Sequence, residues 1–218
     1  MIPIRSLFLF ILIAMAQGCA NTHVTSAWKT PGLEPASYRN IMVFGIVRDA
    51  DTGLRAAMEN HLVGDLRSRG YTAFSGLERY GAGRFRGMNE TEAASLLQAD
   101  GVDAVMTIVL LDKRKERHYE PAQIQNPPNG RYQNRMWMYY GALYDRIQTP
   151  GYYAESTRYY WESNFYDLAA NRLLYSVQTE SFDPPNTNRQ AHEYGLAVVG
   201  SLVKSGVLAK TGAKGKTE

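Results

Sequence analysis

Residues 38–49, "YRNIMVFGIVRD", and residues 51–71, "DTGLRAAMENHLVGDLRSRGY", decide the fold between them. From Ile41 to Val47 the chain is apolar without a break, as in a strand covered on both faces. The second stretch changes period. Leu54, Met58, Leu62 and Leu66 recur every fourth residue and predict a helix with one buried stripe, which Gly70 stops. "YTAFSGL" (71–77) then predicts a second, shorter strand.

The same logic extends outward along the chain. "NETEAASLLQADG" (89–101) opens with Asn89 and has Glu92 three residues later, a capping box that predicts a helix ending at Gly101. "VDAVMTIVLLDKRKERHY" (102–119) predicts a long strand, apolar first and charged later, whose far half leaves the core. Residues 157–182, "TRYYWESNFYDLAANRLLYSVQTESF", predict a hairpin. Tyr159, Trp161 and Phe165 alternate with Arg158, Glu162 and Asn164, and "DLAANR" turns the chain. After Pro184 and Pro185, "AHEYGLAVVGSLVKSGVL" (191–208) predicts an amphipathic helix. The order predicts an α/β or α+β domain over residues 38–209, with helices packed on a mixed sheet.

These stretches resemble a known group. "YRNIMVFGI", "LRAAMENHLVGDLRSRGYTAFSG" and "EAASLLQADGVDAVMTIVLLD" resemble envelope lipoproteins with a TolB-amino-terminal-like domain, the group of the curli-secretion protein CsgG and the penicillin-binding-protein activator LpoB. The hairpin "WESNFYDLAANRLLYS" resembles their later strands. The resemblance covers residues 38–113 and 156–208. It implies a TolB-amino-terminal-like fold and a non-enzymatic role in the envelope, as pore subunit, enzyme activator or assembly factor, with no cofactor. Its motifs bear on architecture rather than on chemistry.

The amino terminus points to the same compartment. Arg5 precedes an apolar run from Leu7 to Met15, too short to span a bilayer, which takes about 20 residues. Ala16, Gln17 and Gly18 then lead to Cys19, the single cysteine of the chain. A charged start, a short apolar core and small residues make a secretory signal peptide over residues 1–18. With cysteine next, the segment resembles the bacterial lipobox, although Ala16 stands where leucine is usual. The resemblance implies a lipid anchor on Cys19. Two or more acyl chains hold a protein stably to a membrane. Ala20, where inner-membrane lipoproteins commonly carry aspartate, implies the periplasmic face of the outer membrane. Residues 19–37, with Thr, Asn, Ser, Gly and Pro, read as a tether.

About 200 residues remain after cleavage, enough for one domain with its own core. A net charge of +3 and no basic face argue against nucleic acid as a partner. Residues 210–218 read as a polar, disordered tail. One thiol makes no internal disulfide, so the core alone must hold the domain.

Candidate chemistry is sparse. Asp49, Asp51 and Thr52 follow the first strand and resemble the aspartate-x-aspartate-x-threonine signature of haloacid-dehalogenase phosphatases, with threonine one residue early. That alternative, a magnesium-dependent phosphatase, uses Asp49 as nucleophile and Asp51 for the leaving-group proton. It lacks a convincing second acidic pair. Capping of the next helix by these side chains is the stronger expectation. "GAGRFRG" (81–87) has its third glycine too late for a dinucleotide loop, and Ser75 lacks the first glycine of a nucleophile elbow. His23, His61, His118 and His192 are scattered. His118 with Glu120 offers two metal ligands at most, and no metal site is expected.

The insert at 120–156 is the most informative remaining feature. It holds Trp137, Met138, Tyr139, Tyr140 and Tyr144, and the chain has 15 tyrosines in all. Loops of this length inside a domain are commonly functional, and Trp and Tyr favour interfaces. The insert reads as a protein-docking arm, a membrane-interface loop, a clasp between subunits of a homo-oligomer, or a lid on the domain's own sheet. A sugar-stacking platform fits aromatic faces, but the paired acids of a glycosidase are not placed. The expectation is a lipid-anchored outer-membrane lipoprotein that works through protein contacts in envelope assembly, secretion or cell-wall regulation.

Overall fold

The computed structural model describes residues 21–35, 37–120, 135–138, 140, 141, 144 and 151–208, with Asp49 through its backbone only. The elements run β1 (Thr22–Lys29), β2 (Ile41–Ile46), a 3-10 turn (Asp49–Asp51), α1 (Thr52–Ser68), β3 (Ala73–Ser75) and α2 (Gly76–Tyr80). They continue with α3 (Glu90–Ala99), β4 (Ala104–Glu120), β5 (Tyr152–Asp167), β6 (Arg172–Phe182) and α4 (Thr187–Lys204). The fold is a mixed α+β one, with a six-stranded sheet in the order β1-β6-β5-β4-β2-β3.

Compact packing divides the chain into two units, residues 1–112 with 159–218, and residues 113–158. In the first, β2 pairs in parallel with both β3 and β4. Parallel neighbours need crossovers, and crossovers are right-handed. From β2 to β3 the chain steps one way along the sheet through α1, and from β3 to β4 it steps back through α2 and α3. Two right-handed steps in opposite directions place their helices on opposite faces.

The burial pattern shows this. Ile41 and Val43 of β2, Ala104, Met106 and Ile108 of β4, and Trp161 and Phe165 of β5 meet Met58, Leu62 and Leu66 of α1. Tyr194, Val198 and Leu202 of α4 belong to the same core. The alternate β2 residue, Met42, lies on the other face with Leu97 of α3 and Val102. Phe44, Phe74, Tyr80 and Phe85 pack against that second cluster. Fully burying side chains of this size stabilises by about 1.5–3 kcal/mol each, which is why the apolar period of each element fixes its orientation.

The hairpin, α3 and the long strand are found where the sequence places them, except that β5 begins at Tyr152, inside the stretch read as insert, and α4 runs Thr187–Lys204, four residues earlier than read. Asn89 accepts from the Glu92 N–H at 2.9 Å, and the Glu92 carboxylate accepts from the Asn89 N–H. The connection between β5 and β6 is Leu168–Asn171, where Asp167 accepts from the Ala170 N–H and Asn171 has φ +46°. Along β4, Ala104, Met106 and Ile108 are buried, and residues 113–119 are exposed. Contacts between β4 and β5, Thr107 with Asn164 and Arg117 with Glu155, pair rising with falling numbers, so the two strands are antiparallel.

Two expectations need correction. Residues 22–29, within the stretch read as a tether, form β1, the sheet edge, paired antiparallel with β6 from Thr22–Ser181 to Lys29–Tyr175. Only Thr22 of β1 is buried, so the backbone ladder holds the strand and no apolar alternation announces it. The second concerns the acidic pair after β2. Asp51 stands at the N-cap of α1 without a capping side-chain hydrogen bond. Its φ of −104° and ψ of 34° are not the extended conformation from which a cap side chain reaches the first turn.

Candidate functional site

The unit 113–158 carries the aromatic residues singled out above. Met136, Trp137, Met138, Tyr140, Gly141 and Tyr144 have helical backbone. Residues three and four apart share a helix face, so Trp137, Tyr140 and Tyr144 form one stripe. The Trp137 and Tyr140 rings meet edge to face at 6.0 Å, and Tyr140 stacks on Tyr144 at 5.8 Å. All three stay exposed, Trp137 at 76% of its surface. Met136 and Met138 flank them, also exposed. Tyr139 lies outside the described residues.

Such a stripe offers flat, rigid area with hydroxyl and indole N–H handles, beside methionines that adapt to an irregular partner. Large apolar groups exposed together on a soluble surface mark interaction sites.

Within the same unit the ends of β4 and β5 are strongly polar. Arg117 pairs with Glu155 at 3.1 Å and Arg158 with Glu116 at 3.0 Å. The Arg117 guanidinium also lies 5.7 Å over the Tyr153 ring, which contacts Tyr119. Exposed pairs like these contribute about 0–1 kcal/mol each. They shape the surface more than they hold it.

In the other unit the structure reveals a group that the sequence reading missed. Glu59 of α1 is fully buried. Its Oε1 accepts from the Gly45 N–H at 2.7 Å and from Arg55 Nε at 2.9 Å. Its Oε2 accepts from the Ser75 hydroxyl at 2.6 Å and the Leu77 N–H at 2.8 Å. One carboxylate therefore ties the end of β2, the helix α1 and the β3–α2 junction together. A buried charge is tolerable only when it is hydrogen-bonded on this scale. Ser75, rejected as a nucleophile, works as donor to Glu59 and as N-cap of α2.

The remaining candidates are dispersed. Cys19 and the signal segment lie outside the described residues, as do the tail and most of the insert. The Asp49 side chain is likewise outside them. His118 and Glu120 face each other at 3.1 Å, and His23 is exposed on β1. The rings of His61 and His192 meet at 5.8 Å where α1 and α4 pack, a contact across more than a hundred residues that no local pattern shows. Asp65 lies nearby, and burial pushes its carboxyl above the usual range against the pull of His192, Arg69 and His61. Among the described residues no group of three or more His, Cys, Asp and Glu is arranged to hold a metal ion. None of the helices among them is long and apolar enough to cross a membrane.

No family model matches the chain, and no curated protein matches it by sequence. Among solved structures it is similar to the PelC dodecamer from Paraburkholderia phytofirmans, with 10% identity and a TM-score of 0.42 over 79% of this chain and 95% of that one. It is also similar to lipoprotein GNA1162 from Neisseria meningitidis, with 15% identity and a TM-score of 0.42 over 76% and 99% of the two chains.

Proposed function

We propose that this protein is a lipoprotein anchored through Cys19 to the periplasmic face of the outer membrane, which acts by contact with another envelope protein and not by catalysis. Its work belongs to envelope assembly, secretion or cell-wall regulation. The observation that carries the docking part is the exposed stripe of Trp137, Tyr140 and Tyr144. The anchor rests on the signal segment and on the cysteine that follows it.

Each part has its own test. Cells fed labelled palmitate should label the wild-type chain and leave Cys19→Ala unlabelled and released from the outer-membrane fraction. Equal labelling of both would remove the anchor. Purified protein should hydrolyse no model phosphate ester with magnesium. Turnover lost in Asp49→Asn would make it a phosphatase instead.

A further inference from the structure

The folded domain begins almost at the cysteine. Asn21 is already built into the unit 1–112 with 159–218: its N–H donates to Glu193 Oε2 at 2.8 Å, and its carbonyl accepts from the Phe182 N–H at 2.8 Å. Thr22 follows, buried, with its hydroxyl 2.8 Å from that of Ser181. Glu193 is itself buried on α4 and pairs with Arg189 one turn earlier. The start of β1, the end of β6 and the first turns of α4 are thereby tied together at Asn21. In the sequence only Ala20 stands between Asn21 and Cys19. Two peptide units reach at most about 7 Å, which is about the depth of one headgroup layer. An acylated Cys19 therefore leaves this end of the domain no room to stand away from the bilayer.

The surface there suits such a place. Phe182, Pro185 and His23 are exposed, and Pro184 is half-buried. Phe182 presents apolar area of the kind that settles in an interface, and the two prolines beside it have no N–H to desolvate. From Glu180 to Gln190 the one basic residue is Arg189, and it is engaged with Glu193 at 2.5 Å. Seating here depends on short reach and apolar contact, and needs no anionic lipid.

We propose that the end of the sheet around Asn21, Phe182 and Pro185 is the face of this unit that lies on the phospholipid headgroups, with Phe182 in the interface. This rests on the anchor at Cys19 read above. The turn Leu168–Asn171 is at the other end of β6, whose 11 residues put roughly 30 Å between the two, so that turn faces away from the bilayer. Acylation leaves Cys19 without a thiol, and a cysteine introduced elsewhere becomes the one site for a maleimide dye. Pro185→Cys and Ala169→Cys, both exposed positions, are made in the lipidated full chain. Each is labelled with a fluorophore and reconstituted into phosphatidylcholine vesicles that carry a nitroxide quencher on a fraction of the headgroups. The dye at position 185 should be quenched at least threefold more strongly than the dye at 169. A glycine-serine insert of about ten residues after Ala20 lengthens the reach and should cut that ratio at least twofold. Acylated protein quenched equally at the two positions, or a ratio that the insert leaves unchanged, would overturn the proposal and leave the anchor standing. An unacylated Cys19, read from the intact mass, with no flotation on vesicles, would overturn both.

Discussion

Trp161 and Trp137 are the same residue in opposite surroundings. Trp161 on β5 has no exposed surface, stacks on Tyr159 at 6.2 Å and touches Tyr194 of α4. Trp137 keeps three quarters of its surface in contact with solvent, and Tyr140, whose ring it meets edge to face, is exposed as well. In the unit 1–112 with 159–218, Trp161, Phe165, Tyr175 and Tyr194 are buried in a core. Among the described residues of the unit 113–158, Tyr119, Trp137, Tyr140, Tyr144, Tyr152 and Tyr153 are all exposed. On the function proposed above, substitutions in the core of the first and in the stripe of the second should fail in different assays.

The largest expected effect is at Glu59. Replacement by alanine strands the Gly45 and Leu77 N–H groups and leaves Arg55 without its carboxylate, at a cost of about 3–5 kcal/mol. Chemical denaturation should show it as a large drop in midpoint. A change under about 1 kcal/mol would mean that water replaces the carboxylate. Gly76→Ala comes next. A Cβ there meets the Phe44 ring and the Val43 carbonyl, and forced overpacking costs about 1–3 kcal/mol. Asn89→Ala removes one half of a capping box and should cost about 1 kcal/mol. The joint change of Trp137, Tyr140 and Tyr144 to alanine should be the mildest, within about 0.5 kcal/mol, as is usual for surface positions. A collapsed thermal transition in that variant would make the stripe part of a core and erase the contrast.

The same contrast separates what could be read from the sequence from what could not. Local patterns were legible: the fourth-residue stripe of α1, the capping box of α3, the apolar run of β2 and the alternation of Trp161 and Phe165. Each is a short-range consequence of backbone period. β1 was not legible, because an edge strand with one buried residue is held by its partner's backbone, seven paired positions of it, and not by its own side chains. Its one signal was the β-branched and aromatic content of "THVTSAWK". Glu59 was hidden for a related reason. A carboxylate inside an apolar stripe looks like a break in the pattern until the donors around it are known, and three of the four come from β2, Ser75 and Leu77. Arg55 four residues earlier was the local hint. The aromatic character of the insert was plain from composition, and the stripe's spacing of three and four follows once Trp137, Tyr140 and Tyr144 have helical backbone.

The most direct measurement is photocrosslinking in intact cells from a reactive residue at position 137, with mass spectrometry of what it captures. A surface built for recognition predicts one dominant envelope protein, lost when Tyr140 and Tyr144 become alanine and when residues 122–152 are deleted. Crosslinks confined to this chain, or a partner that stays when the stripe is gone, would contradict it.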